Sequence, residues 1–151
     1  MYSNRQKYDA AYQLHVALER VRHEKKLVYQ VASVSAESLP ELNSAATSPM
    51  VISGRYSDTT MFGDPADNWL QRAHHDHWHL ALQADTSLAG ERRVAIAQCA
   101  DIARVAGQTL ADLVWADIFG QTLYYEQFQG FPMDQAAFVY HYRTTGKLLA
   151  F

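Results

Sequence analysis

A single cysteine, no excess of positive charge and no long apolar run set the first limits on this 151-residue chain. One thiol, Cys99, excludes an internal disulfide and fits a reducing compartment. Set among Ala97, Ala100 and Ile102, it reads as a buried structural thiol. The formal charge of −3 offers no basic surface for nucleic acid, so binding to DNA or RNA is not expected. The nearest approach to a basic patch, Arg20, Arg22, Lys25 and Lys26, is diluted by Glu19 and Glu24 and reads as a solvated helix end. No stretch of ~18 apolar residues occurs and none stands near the start, so neither a signal peptide nor a membrane span is expected. A cytoplasmic protein is the expectation. Repeats, low-complexity tracts and sharp composition breaks are missing too, which leaves one domain over residues 1–151.

What is present is a hydrophobic content of 48% against 19% charged residues, the balance of a packed globular chain. From Asn4 to Lys26 the pattern is helical, with Ala11, Leu14, Leu18 and Val21 as the buried stripe and His15 and His23 beside it. Leu27–Ser35 is β-branched and reads as a short strand or an extended segment. Ser38–Ser53, with Pro40 and Pro49, reads as a loop that borders a site. Asp64 and Pro65 open a central helix running to about Gln83. Asp85–Ser87 then leads into forty-odd helical positions, which Gly107 divides into helices of about 88–106 and 109–128, the second capped by Thr109 with Asp112. A last helix runs from about Met133 to Thr145 and stops at Gly146. The fold class is mainly α: a single-domain bundle of about five helices, with a possible short strand near residues 27–35.

The segment Arg72–His79 holds four of the seven histidines, His74, His75, His77 and His79. On a helix, His75 and His79 stand one turn apart on one face, and two such imidazoles can hold one divalent ion. Later helices offer the acids. Asp117 and Gln121 interrupt the apolar stripe of Leu110, Leu113, Val114, Tyr124 and Phe128, and a carboxylate at a core position needs a partner or a metal. The alternative is a rotated helix with Asp117 solvated or paired with an arginine. Glu91 opens the helix after a short turn, which brings it near His79 if the two helices run antiparallel. The alternative there is an exposed acid that complements the helix dipole. The metal set is therefore His75, His79, Asp117 and Glu91, a ligand chemistry open to zinc, iron(II) or manganese. Asp76 and Gln121 would orient the imidazoles. His74 and His77 point away from the pair, Asp101 and Asp112 face solvent, and His141 reads as a core histidine.

In order and spacing, Asn68, Arg72, His75-Asp76, His79, Gly90-Glu91, Asp117 and Gly120-Gln121 resemble the shared block of a group of small bacteriophage and mobile-element proteins. The likeness covers Phe62 to Gln127. Two positions depart from it: Asp117 stands where the group often has glutamate, and Gln98 where it has histidine. His75-Asp76 is also similar to the dipeptide of HD-type metal phosphohydrolases, which would imply an upstream histidine, His15 or His23, and Asp117 as further ligands.

Two functions follow. In the first, a divalent-metal hydrolase cleaves a phosphoester or nucleotide, with Glu91 or Asp76 as base and Arg72 neutralising a small anionic substrate. In the second, the His/carboxylate cluster only stabilises the fold of a phage-type interaction protein. That protein would meet a partner or a second copy of itself through the aromatic C-terminal region from Tyr124 to Tyr142.

Overall fold

The computed structural model describes residues 2–32 and 49–149 and is mainly helical. Helix α1 (Asn4–Lys25) starts on a reciprocal cap in which the Ser3 hydroxyl accepts from the Gln6 amide and the Gln6 side chain accepts from the Ser3 amide. It ends where Lys26 turns left-handed. Its buried face is Ala10, Leu14, Ala17, Leu18 and Val21, so Ala10 takes the place expected for Ala11. Arg20 and Arg22 pair with Glu24 and Glu19 at the solvated helix end, while Lys25 turns inward to Asp101 at 3.1 Å.

Strand β1 (Tyr29–Ala32) lies within the expected 27–35 segment. Residues 33–35, and 38–48 of the expected loop, lie outside the described residues. The end of that loop is a strand instead. Met50–Ser53 forms β2, paired in parallel with β1 from Tyr29–Met50 to Ala32–Ser53. Alternation seats it, because Met50 and Ile52 are buried in the core while Val51 and Ser53 are half-buried. A run of three apolar residues between Pro49 and Gly54 is too short to announce a strand, and its partner lies well upstream.

Helix α2 (Pro65–Leu82) opens as expected, with the Asp64 carboxylate accepting from the Ala66 amide and Pro65 in the first turn. Helix α3 (Leu88–Ala106) is capped by Ser87, whose hydroxyl accepts from the Gly90 amide. Gly107, at φ 91°, separates α3 from α4 (Gln108–Trp115). Only glycine takes that backbone readily, and the two helices fold back on one another as expected. Thr109 is not the cap. Gly107 holds that position without a side-chain bond, and Asp112 accepts from Gln108 and pairs with Arg143 at 3.0 Å instead of lying free in solvent.

The single helix expected over 109–128 is divided by a π-helical turn, Ala116–Gly120, before α5 (Gln121–Phe128). Tyr124 keeps its place on the apolar stripe beyond that turn, whereas Phe128, the last residue of α5, is 39% exposed. Gly120 is required there, because a Cβ would come within 2.8 Å of the Tyr142 ring on α6 (Gln135–Thr145). Helix α6 starts on Asp134 and ends at Gly146. Leu14 and Leu18 of α1, Leu70 of α2, Ile102 of α3, Leu113 of α4 and Phe138 of α6 meet in the core. Among the described residues, no helix is long and apolar enough to cross a membrane.

Candidate metal centre

Helix α2 carries Asn68, Arg72, His75 and His79 along one side, at spacings of four, three and four residues. The turn into α3 is tight. Gln83 is left-handed at φ 48°, and α3 begins five residues later, so the first turn of α3 lies against the last turn of α2. Gly90 permits this approach, because a Cβ there would stand 2.0 Å from the Asp85 carbonyl oxygen. Glu91, the next residue, is thereby held against both imidazoles.

Its Oε2 is 3.1 Å from His75 Nε2, its Oε1 is 3.3 Å from His79 Nε2, and the two Nε2 atoms are 3.1 Å apart. These ligand atoms all lie within 4.8 Å of one another, a group that could hold a metal ion. Two nitrogens ~2.1 Å from one ion, at tetrahedral to octahedral angles, stand ~2.9–3.4 Å apart. The observed separation falls inside that range.

The outer nitrogens fix which way the lone pairs point. His79 Nδ1 is 3.0 Å from the Ala84 carbonyl, which can only accept, so this nitrogen carries a proton. Gln98 is fully buried; its amide nitrogen donates to the Gln71 carbonyl, which turns its oxygen to His75 Nδ1 at 3.2 Å. That nitrogen is the donor as well. In the neutral rings both Nε2 lone pairs therefore face each other and a carboxylate. Positive charge between them resolves the repulsion, whether a shared proton or a cation. Burial works against an ionised Glu91, but hydrogen bonds from His75 and His79 outweigh it and hold the carboxyl down at about 2. Burial likewise opposes a charged His79, while Glu91 and the Ala84 carbonyl together raise its pKa.

Asp117 does not join the three. It lies in the π-helical turn, lines the same cavity and accepts a 2.8 Å bond from Gln121. The periodicity that placed it in the core was right, since it is 8% exposed. Burial pushes its carboxyl up to about 6, against the Gln121 bond and the nearby Arg72 charge. Gln121 therefore orients Asp117 rather than an imidazole; the groups that orient the imidazoles are Ala84 and Gln98.

Asp76 lines the cavity without a hydrogen-bond or ion-pair partner among the described residues. Burial raises its pKa while the two imidazoles oppose the shift. Arg72 donates to the Ser53 carbonyl at 2.6 Å and the Tyr56 carbonyl at 3.4 Å, which anchors the end of β2 to α2. Burial lowers its pKa, and Asp117 and Asp76 support its charge through space. The cavity measures about 730 Å³.

The remaining histidines lie elsewhere. His74 Nε2 is 2.9 Å from Asp101, which also takes Trp78 Nε1 at 2.9 Å and Lys25. Asp101 is thus the hub of a polar cluster between α1, α2 and α3, not a solvent-facing acid; His74 first and then Lys25 and Trp78 overcome its burial and hold it down at about 2. His15 pairs with Asp67 at 2.8 Å and His23 is exposed, so neither supplies the upstream ligand of an HD-type centre. His141 is partly exposed rather than in the core and has Thr145 at 3.1 Å. Cys99 is partly buried, and burial pushes its thiol up to about 12, which leaves it unreactive.

Comparison with known proteins gives no match: no family model, no curated protein and no solved structure is similar to this chain.

Replacing Gly90 by alanine tests how the centre is assembled. The new methyl must displace the Asp85 carbonyl, which opens the α2–α3 turn and draws Glu91 off His79. Overpacking of this kind costs about 1–3 kcal/mol. Thermal denaturation should show that loss, and any affinity for a divalent ion should fall with it.

Proposed function

We propose that the protein binds a divalent cation through His75, His79 and Glu91 and hydrolyses a phosphoester or nucleotide in the adjoining cavity. The observation that carries this reading is a three-ligand group that opens on a cavity of about 730 Å³. Structural zinc sites use four protein ligands, whereas catalytic sites keep a position free for water or substrate. Zinc, iron(II) and manganese all suit the donors. When bound, the ion would polarise a phosphoryl oxygen and bring the pKa of a water toward about 7.

The chain's own groups have the remaining tasks. Glu91 is a ligand in this reading, so Asp76 is the base that takes the proton from the attacking water. Arg72 lines the cavity, and its charge, felt through space by Asp117 and Asp76, is the one an anionic group would meet there. Kinship with the small phage and mobile-element proteins is part of the same proposal. It is supported by Asn68, Arg72, His75 and His79 sharing one side of α2, with Gly90-Glu91 brought against them. A cytoplasmic setting fits the lone thiol.

A second reading keeps one observation of its own. Tyr125, Phe128, Phe131 and Met133 are exposed, the last by 85%, and such a surface suits a protein partner or a second copy of this chain.

Elemental analysis of untagged protein, followed by hydrolysis assays on phosphomonoesters and nucleotides, separates the two. The hydrolase reading expects about one ion per chain, and a loss of turnover by about a hundredfold or more in His75→Ala with the fold retained. A metal whose removal unfolds the chain, with no turnover in the wild type, would establish the structural role instead.

A further inference from the structure

The cavity has an aromatic rim that the metal chemistry leaves unexplained. Tyr56, Tyr125 and Phe131 all line it, yet they are 65%, 43% and 52% exposed, which puts them at its mouth. Phe131 joins the other two, its ring centroid 6.2 Å from Tyr56 and 5.2 Å from Tyr125. The buried His79 and Asp117 lie deeper in the same space.

Tyr56 is held there under strain. Its φ is 55°, a left-handed backbone that a bulky side chain rarely adopts. Its carbonyl accepts from Gln135 Nε2 at 2.9 Å and from Arg72. The neighbouring Ser57 hydroxyl is buried and takes bonds from Asn68 at 3.0 Å and Trp69 at 3.1 Å. Four side chains from α2 and α6 thus pin one short turn. Strain kept in place this way and spent on an exposed ring is a feature of ligand-clamping positions rather than of cores. The same Arg72 that could face an anionic group also fixes the Tyr56 backbone, so ring and cation are set by one side chain.

We infer that the ligand is a nucleotide: its base lies against the rings of Tyr56, Tyr125 and Phe131, and its phosphate reaches inward to Arg72 and the His75–His79–Glu91 group. The inference deepens the hydrolase reading and rests on it for the phosphate end alone. A bare phosphate or sugar phosphate would leave the aromatic mouth unused, whereas ligands of nucleotide size are typical of cavities of roughly 300–1,000 Å³. Stacking tolerates any base, because every base has a π-face.

Isothermal titration of the full chain, with and without added Mn²⁺, tests this with purine and pyrimidine nucleoside monophosphates, the free nucleosides and ribose 5-phosphate. The expected result is that nucleotides bind about tenfold or more tightly than ribose 5-phosphate. Tyr56→Ala and Phe131→Ala should each erase most of that difference, and Tyr56→Phe should keep it. Because Tyr56→Ala also changes a strained turn, Phe131→Ala serves as the variant that leaves that backbone alone. Equal binding of ribose 5-phosphate and nucleotides, unchanged nucleotide binding in both alanine variants, or no saturable nucleotide binding would each overturn the inference. Nucleotide binding that needs the rings but is the same with and without Mn²⁺ would uphold the aromatic mouth while the metal reading fails, so the two failures are told apart.

Discussion

Adding Mn²⁺ or Zn²⁺ should raise the melting temperature of the wild-type protein and leave that of His79→Ala where it was. An ion that binds only the folded state adds RT ln(1 + [L]/Kd), about 2.7 kcal/mol at a hundredfold excess over Kd. For a chain of this length that corresponds to roughly 5–10 °C. The effect depends on an arrangement the unfolded chain lacks: two Nε2 atoms 3.1 Å apart and a carboxylate within 3.3 Å of each. His79 is the sharpest variant, because its outer nitrogen is tied to the Ala84 carbonyl and its removal leaves Glu91 with one imidazole. His77→Ala is the matched control, since His77 is outside the group, and it should keep the full shift. A rise that survives in His79→Ala would locate the ion elsewhere. Dialysis against a chelator should lower the wild-type melting temperature by the same amount if the purified protein already carries metal.

The helix boundaries and the heart of the centre were legible because each rests on local rules. Asp64-Pro65, Ser87, Gly107 and Gly146 act on their own neighbours, and all four mark boundaries of helices in the fold. His75 and His79 share a face by helical spacing, and a short turn to an antiparallel helix is enough to bring Glu91 to them. What escaped the sequence depends on distant partners or on broken periodicity. Met50–Ser53 becomes a strand only because Tyr29–Ala32 is there to pair with it. Asp101 looks like a surface acid on its own helix, and its partners His74 and Lys25 come from two others. Asp117 was rightly placed in the interior, but the π-turn that holds it cannot be read from a 3.6-residue period, and its carboxyl lines the cavity without joining the ligand group. Tyr56 gave no signal at all, since tyrosine is not the residue that announces a left-handed turn.

Replacing Asp117 by asparagine should make the protein more stable, by up to about 3 kcal/mol at neutral pH. The carboxyl has an ordinary value near 3.8 in an unfolded chain, and burial pushes it up to about 6 in the fold. Between those values the folded state holds a proton that the unfolded state has released. The contribution of Asp117 to wild-type stability therefore falls as pH rises from about 4 to about 6 and stays low above that. Asparagine resembles the protonated form, keeps the oxygen that accepts from Gln121, and never ionises. Below pH 4 the two proteins should differ little, and above pH 6 the variant should lead; urea denaturation across that range reads both. The Arg72 charge, which favours the ionised acid, is already part of that net rise in pKa. A variant less stable than wild type at pH 7 would mean that the Arg72–Asp117 attraction exceeds the burial penalty. A divalent ion on the His75–His79–Glu91 group, which lines the same cavity, should hold Asp117 ionised at lower pH and flatten the wild-type curve.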